Sequence, residues 1–310
     1  MNTVKTLMLS IVLPFAGYGM ISGMNENMRS VLKFQKKKSD IIADNAKPVL
    51  ISSQFKFTEG PVADKQGNFF FTDIIEDKIW KYSIEGELSL FMDKTGHSDG
   101  MYFDKKGNLI TAADEKNELW SISPDKKITV ILDNYEGKRF NGPNDLWIDK
   151  KGGIYFTDPY YQRPYWERKQ SELDGQHVYY LPNGSKKAII VDNKLVMPNG
   201  IIGSADGKNL FVADIGDKKT YKYTINKDGS LSERKLFTGM GSDGMTLDNK
   251  SNLYLTGRGV TVFNPRGEQI EHIELPGWTA NVTFGGKNKD ILFITSNKSV
   301  YTLKMKVKGI

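Results

Sequence analysis

The chain has 310 residues and no cysteine, which excludes a disulfide framework, a thiol nucleophile and a lipid-modified cysteine anchor. A formal charge of +6 and a pI near 9.0 raise the question of an anionic partner. The lysines, however, fall as doublets around predicted hairpin turns (Lys105-Lys106, Lys126-Lys127, Lys150-Lys151, Lys186-Lys187, Lys218-Lys219), without a basic stripe interleaved with aromatics, so nucleic-acid binding is not expected.

The first segment differs in kind from the rest. After Lys5, residues 6–23 are apolar apart from small residues and one Pro, with Gly19 and Gly23 placed where a signal peptidase can cut, so 1–23 reads as a secretory signal peptide. About 18 weakly interrupted apolar residues also reach the lower limit of a membrane span, which makes an uncleaved anchor the alternative. The mature protein is expected to be exported, periplasmic or secreted, with no membrane insertion of its own domain. A core of this size needs no disulfides. Residues 24–47, with Lys36-Lys37-Lys38, read as a polar linker, and 48–310 as one domain.

From residue 58 the chain repeats. Six short acidic or amide residues, Glu59, Asp99, Asn144, Asn199, Asp243 and Asn281, each precede by eight positions the Gly, or its counterpart, of a turn related to Asp-x-x-Gly-Asn. The turns are centred on Gly67, Gly107, Gly152, Gly207, Ser251 and Lys289, the last being degenerate; the intervals between the polar residues are 40, 45, 55, 44 and 38. A period in this range marks a repeat array. Each unit continues from its polar residue through a short alternating strand, the turn and a second apolar strand (68–73, 108–112, 153–157, 209–213, 252–256, 291–295). Third strands are expected at 78–82, 118–122, 177–180, 220–223 and 300–303. No amphipathic helix competes. Four antiparallel strands in each of six units predict an all-β, six-bladed β-propeller. The last unit is one strand short, so a strand within 48–57 is expected to close the ring, which removes free sheet edges.

Equivalent positions in equivalent units lie at one height, so the six polar residues are expected to ring the channel mouth. Asn-Gly and Asp-Gly pairs are common turn formers, which is the plain alternative for any single pair. Six in register, one of them Glu, are not explained by turn formation. A ring of side-chain oxygens without His or Cys suits a hard cation: calcium takes about six to eight oxygen ligands, magnesium and manganese are alternatives, and zinc fits less well.

Several segments taken together resemble one family. They are Thr58-Glu59-Gly60-Pro61-Val62, Asn141-Gly142-Pro143-Asn144-Asp145-Leu146, Tyr155-Phe156-Thr157-Asp158-Pro159, Met197-Pro198-Asn199-Gly200, Ser242-Asp243-Gly244-Met245 and Thr279-Ala280-Asn281-Val282-Thr283-Phe284-Gly285-Gly286. Their order is similar to that of the gluconolactonase, senescence-marker-protein (regucalcin) and luciferin-regenerating family. The resemblance implies a divalent cation, usually calcium, held by Glu59, Asn144, Asn199 and Asp243. It also implies hydrolysis of a lactone or related ester, with the metal polarising the carbonyl and Asp243 as general base. The sequence departs from it in the second unit. Sugar-lactone members tend to carry an Arg-x-Asn-Asp-Gly pattern, whereas this chain has Gly96-His97-Ser98-Asp99-Gly100 and lacks the Arg.

Candidates for substrate contacts are therefore Asp99 with His97 and Ser98, Asn281, and Arg139 for an anionic product. Asp145 is expected to anchor the Asn144 loop. The insertion at 160–176, with Tyr161, Arg163, Tyr165, Trp166 and Arg168, reads either as a lid or as rim packing. Trp278 reads either as pocket lining or as packing between blades. The leading expectation is a monomeric metal-dependent hydrolase of a small-molecule lactone or ester. The alternatives are a phosphotriesterase-like hydrolase at the same site, or a non-enzymatic binding propeller whose ion is structural.

Overall fold

A computed structural model describes residues 38–310; the expected signal segment (1–23) and most of the expected linker (24–37) lie outside the described residues. Among the described residues there is no helix, hence none long and apolar enough to cross a membrane. The first strand is β1 (Val49–Ser52). A four-stranded antiparallel sheet follows in chain order: β2 (Thr58–Ala63), β3 (Phe69–Asp73), β4 (Lys78–Tyr82) and β5 (Leu88–Asp93).

Three further sheets repeat this meander. They comprise β6 (Ser98–Phe103), β7 (Leu109–Ala113), β8 (Glu118–Ile122) and β9 (Ile128–Leu132); β10 (Leu146–Ile148), β11 (Ile154–Asp158), β12 (His177–Leu181) and β13 (Ile189–Asp192); and β14 (Pro198–Gly203), β15 (Asn209–Asp214), β16 (Lys219–Ile225) and β17 (Leu231–Thr238). The remaining strands are β18 (Met245–Leu247), β19 (Leu253–Phe263), β20 (Gln269–Gly285), β21 (Ile291–Ser296) and β22 (Ser299–Lys304). They join β1 in one six-stranded sheet, ordered β1-β22-β21-β20-β19-β18. The join is made by β20, which pairs with β19 as far as Trp278 and with β21 from Thr279 onward. The architecture is all-β and propeller-like.

Burial follows the sequence pattern. The second strand of a unit is flanked on both faces, so β3, β7 and β11 are buried at every position, their Thr and Asp residues included. The fourth strands β5, β9, β13 and β17 carry exposed positions.

The turn between first and second strands is held by its own Asp. Asp64 Oδ1 accepts from the N–H groups of Gln66 and Asn68, both at 2.9 Å, and Asp104, Asp149 and Asp248 repeat this double acceptance. The Gly that follows is left-handed, with φ +93° at Gly67 and +86° at Gly107; where the repeat lacks it, Ser251 and Lys289 adopt φ +60° and +55°.

The two ends of the described chain meet. β1 pairs with β22 in the register Val49↔Thr302 and Leu50↔Tyr301. Gly286 N–H donates to Gly67 O at 2.9 Å, and the Phe69 and Phe293 rings stack at 4.6 Å. The last residues of the expected linker belong to the packed unit: Ile42 bridges to Met305, and Ile41 is buried with Val282, Leu303 and Met305.

Candidate active site

The six repeated polar residues stand where the innermost strands begin, and the glycines after four of them explain how the strands fit there. A Cβ on Gly60 would lie 2.0 Å from the Asp99 carbonyl oxygen, and one on Gly100 2.6 Å from that of Asn144. On Gly200 it would lie 2.6 Å from the Asp243 carbonyl oxygen, and on Gly244 1.9 Å from Asn281 Cγ. Thr157 Oγ1 donates to the Asn199 carbonyl at 2.7 Å and so ties the third unit to the fourth. These glycines therefore permit close approach between neighbouring units, beyond any turn preference. Glu59, Asp99, Asn199 and Asp243 are thereby each carried against the next unit's polar residue.

The side chains then form a connected set. Asn144 Nδ2 donates to Asp99 Oδ2 at 2.9 Å. Asn199 Nδ2 donates to Asp243 Oδ1 at 2.9 Å and to Tyr161 Oη at 3.1 Å. Trp278 Nε1 donates to the other Asp243 oxygen at 2.8 Å. A carboxylate only accepts, so the amide atom facing it is the nitrogen. The Oδ1 atoms of Asn144 and Asn199 are left without a partner among the described residues, and Glu59 Oε2 accepts only from its neighbour Gly60 N–H, at 2.7 Å.

Electrostatically the set carries too much negative charge for its burial. Burial, then the Asp243 and Asp99 carboxylates, hold the Glu59 carboxyl well above its ordinary range. Burial also pushes Asp99 well up, against the pull of Arg163 and with Asp114, Asp243 and Asp145 adding to the rise. Asp243 is raised by burial, partly offset by its bonds from Trp278 and Asn199. A dication among these groups relieves both the repulsion and the unpartnered oxygens. Among the described residues no three His, Cys, Asp or Glu side chains form a metal cluster by themselves. A cation here must draw on the amides as well as the carboxylates, and the hard-oxygen donor set fits calcium.

The other expected residues divide. Asn281 is turned to structure: its Oδ1 accepts from Val282 N–H at 2.8 Å and its side chain also bonds Asp145, so it braces β20 against the Asn144 loop. Asp145 itself accepts from Leu146 and Ile201 N–H, linking β10 to β14, and burial pushes it up to about 7. Ser98 is not at the cluster: its hydroxyl donates to Thr95 O at 2.7 Å, inside its own turn. Arg139 is also elsewhere, half exposed and 3.9 Å from Glu172. His97 is held by its Nδ1 at 2.7 Å from the Ile74 carbonyl, which makes Nδ1 the donor, and its ring stacks on Tyr165 at 4.0 Å.

Three residues that the sequence left undecided or overlooked do arrive. Trp278 holds Asp243, as described. Tyr161, whose hydroxyl is pushed up to about 12 by burial and by Asp243, reaches Asn199. Arg163 spans Asp114 and Asp99, its Nε 2.7 Å from Asp114 Oδ2 and its Nη2 3.5 Å from Asp99 Oδ2. Asp114 has no signal in the sequence, since nothing in its own unit marks it off from a turn residue.

A propeller-like chain with carboxylates and amides gathered at the start of its inner strands defines a class: an all-β protein whose clustered side-chain oxygens suit a hard cation. The chain belongs to the SMP-30/gluconolactonase/LRE-like family, whose model matches residues 57–298. It is 29% identical to a gluconolactonase of Zymomonas mobilis over 92% of this chain and 89% of the relative. The solved gluconolactonase XC5397 from Xanthomonas campestris superposes with a TM-score of 0.80 at 26% identity, covering 85% of this chain and 91% of that one. The calcium-binding protein regucalcin from Agrobacterium tumefaciens superposes with a TM-score of 0.73 at 17% identity, covering 86% and 96%, a likeness of fold.

Proposed function

We propose that the protein is a calcium-dependent lactone hydrolase whose cation is held by Glu59, Asn144, Asn199 and Asp243 on a six-bladed propeller. The blade count is supported by four sheets of four strands, and by β19 and β20, each of whose halves pairs with a different neighbour. Completion of the last blade by β1 is supported by its pairing with β22.

The orientation of two amides carries the functional reading. Asn144 and Asn199 turn their nitrogens to Asp99 and Asp243, so their oxygens are left without a partner among the described residues, which suits a cation site with room for a substrate. The gluconolactonase relative supplies the reaction class, and the regucalcin likeness is consistent with calcium. When bound, the cation supplies polarisation of the lactone carbonyl and offsets charge developing on its oxygen. The rest belongs to the chain. Asp243, fixed by Asn199 and Trp278, takes a proton from the water that attacks the carbonyl carbon; the ester C–O bond then breaks and the released oxygen is protonated. Burial raises the proton affinity of Asp243 above that of an exposed carboxylate.

The test is hydrolysis of aldonolactones, aliphatic lactones, aryl esters and phosphotriesters after chelation and after return of calcium, magnesium or manganese. Lactone turnover is expected to disappear on chelation and return with calcium. No lactone turnover with any of the three cations overturns the reading. Export belongs to the same proposal, resting on residues 1–23; the intact mass of the protein recovered from cells checks it, and an uncleaved chain counts against it.

A further inference from the structure

The second unit lacks the Arg of the sugar-lactone pattern, and the insertion of the third unit brings Arg163 against that unit's Asp99 and Asp114. In the first, third and fourth units the acid ending the second strand caps the loop before the innermost strand. Asp73 accepts from Lys56 and Phe57 N–H, Asp158 from Asn141 and Gly142, and Asp214 from Val196 and Met197. The second unit has Ala113 at that position, and its loop N–H groups, those of Thr95 and His97, go to Asp77 instead, both at 2.8 Å. Asp114, one residue on, is thereby free to face the insertion from the third unit. It accepts from Arg163 Nε at 2.7 Å and from Tyr165 Oη at 2.6 Å, while its backbone carbonyl accepts from Trp166 Nε1 at 2.9 Å. His97 stacked on Tyr165 completes the dock.

Arg163 is thus fixed at the edge of the cluster, with its Nη1 lacking a partner among the described residues and a quarter of its side chain exposed. Beside it, Tyr161 already accepts an N–H from Asn199, so its own O–H remains to donate; the guanidinium lies 5.5 Å from the centre of that ring. Two donors therefore face the cluster side by side. Three carboxylates (Asp99, Asp114, Asp243) act on this guanidinium, so no positive charge is left over for an anionic ligand.

We infer that Arg163, docked on Asp114, is the specificity-determining residue of the site, and that with Tyr161 it reads the hydroxyl oxygens of a neutral, polyhydroxylated lactone ring. The inference rests on the lactonase reading for its substrate class. It is tested on the full-length protein with D-glucono-1,5-lactone and δ-valerolactone as substrates, and with the corresponding lactams as non-hydrolysed probes whose binding is measured by calorimetry.

Arg163→Met is expected to weaken gluconolactam binding about tenfold and to lower the gluconolactone to valerolactone ratio of kcat/KM by a similar factor. Arg163→Lys should recover part of both. Because Arg163→Met strands the buried Asp114 carboxylate, the double variant Arg163→Met/Asp114→Asn accompanies it and should lose the same selectivity. General damage to the site lowers both lactones equally and leaves the ratio unmoved, which overturns the inference. So does a wild-type protein that binds the two lactams alike. If the wild type hydrolyses neither lactone, the lactonase reading fails, and the lactam comparison still decides the role of Arg163.

Discussion

The protein builds two sets of acids and amides from one repeat, and they behave in opposite ways. At the turns between first and second strands, Asp64, Asp104, Asp149 and Asp248 each accept two backbone N–H groups from the same turn. Where the innermost strands begin, Glu59, Asp99 and Asp243 lie among one another; Asp99 is bonded by Asn144 and Arg163 and Asp243 by Asn199, all from other units, and Asp243 also by Trp278 from the far end of its own. The residue types and the period are the same. The difference is whether a polar side chain is satisfied by its own turn: where it is, it makes structure, and where it is not, several of them converge on a site that a cation can complete.

The largest effect separates the two sets directly. Asp243→Asn should reduce lactone turnover by roughly a hundredfold or more, the size of a lost general base, while the protein stays folded. Asp104→Asn keeps an oxygen for the two turn N–H groups and loses only the bond from Asn108 Nδ2, so turnover should match the wild type. Steady-state kinetics with circular dichroism decide it. Equal losses in both variants would show that the contrast between the sets does not track function.

The next effect is on stability against pH. The raised acids (Glu59, Asp99 and Asp243, with Asp145 and Asp158 at about 7) hold protons in the folded state that the unfolded chain releases near pH 4. Their contribution to stability is fully present below that pH and is lost as pH rises through the folded-state values, which for Asp145 and Asp158 lie at about 7. Chelated protein should therefore lose stability between pH 4 and 7, with a slope on the order of 1 kcal/mol per pH unit for each such group. Calcium should flatten the part due to Glu59, Asp99 and Asp243. Denaturant melts across that range, with and without calcium, measure it. A slope unchanged by calcium would remove the cation from the cluster.

What the sequence reveals follows the same division. Period-two alternation and the Asp-x-x-Gly-Asn turns predict the strands, because each turn satisfies itself within five residues and the burial of β3, β7 and β11 needs only the local pattern. The positions of Glu59, Asn144, Asn199 and Asp243 are legible for the same reason. The bonds among them cross from unit to unit, however, and the sequence has no marker for them. Arg163 and Asp114 lie 49 residues apart, and their meeting depends on an insertion that obeys no repeat. Proximity in sequence alone points Ser98 and Arg139 to the site; the first is turned into its own loop and the second outward to Glu172.

The smallest effect lies wholly at the turns. Ser251 occupies the place that Gly67 and Gly107 hold in their turns and adopts φ +60°, a conformation that a Cβ disfavours. Its backbone N–H still closes the turn on the Asp248 carbonyl at 2.9 Å, so the geometry is already that of a Gly. Ser251→Gly relieves the strain in the folded state and adds freedom to the unfolded one, and the two nearly cancel. The net should be a stabilisation of about 0.5 kcal/mol with turnover unchanged. The reverse change at an open turn, Gly107→Ala, meets no neighbouring atom within 4 Å, so its cost should be the left-handed strain alone, about 1 kcal/mol. At Gly67 the same substitution should cost more, because its Cβ would meet the Gly286 backbone at 2.5 Å. If denaturant melts gave Gly67→Ala and Gly107→Ala the same cost, the contact between the first and last units would contribute nothing to stability.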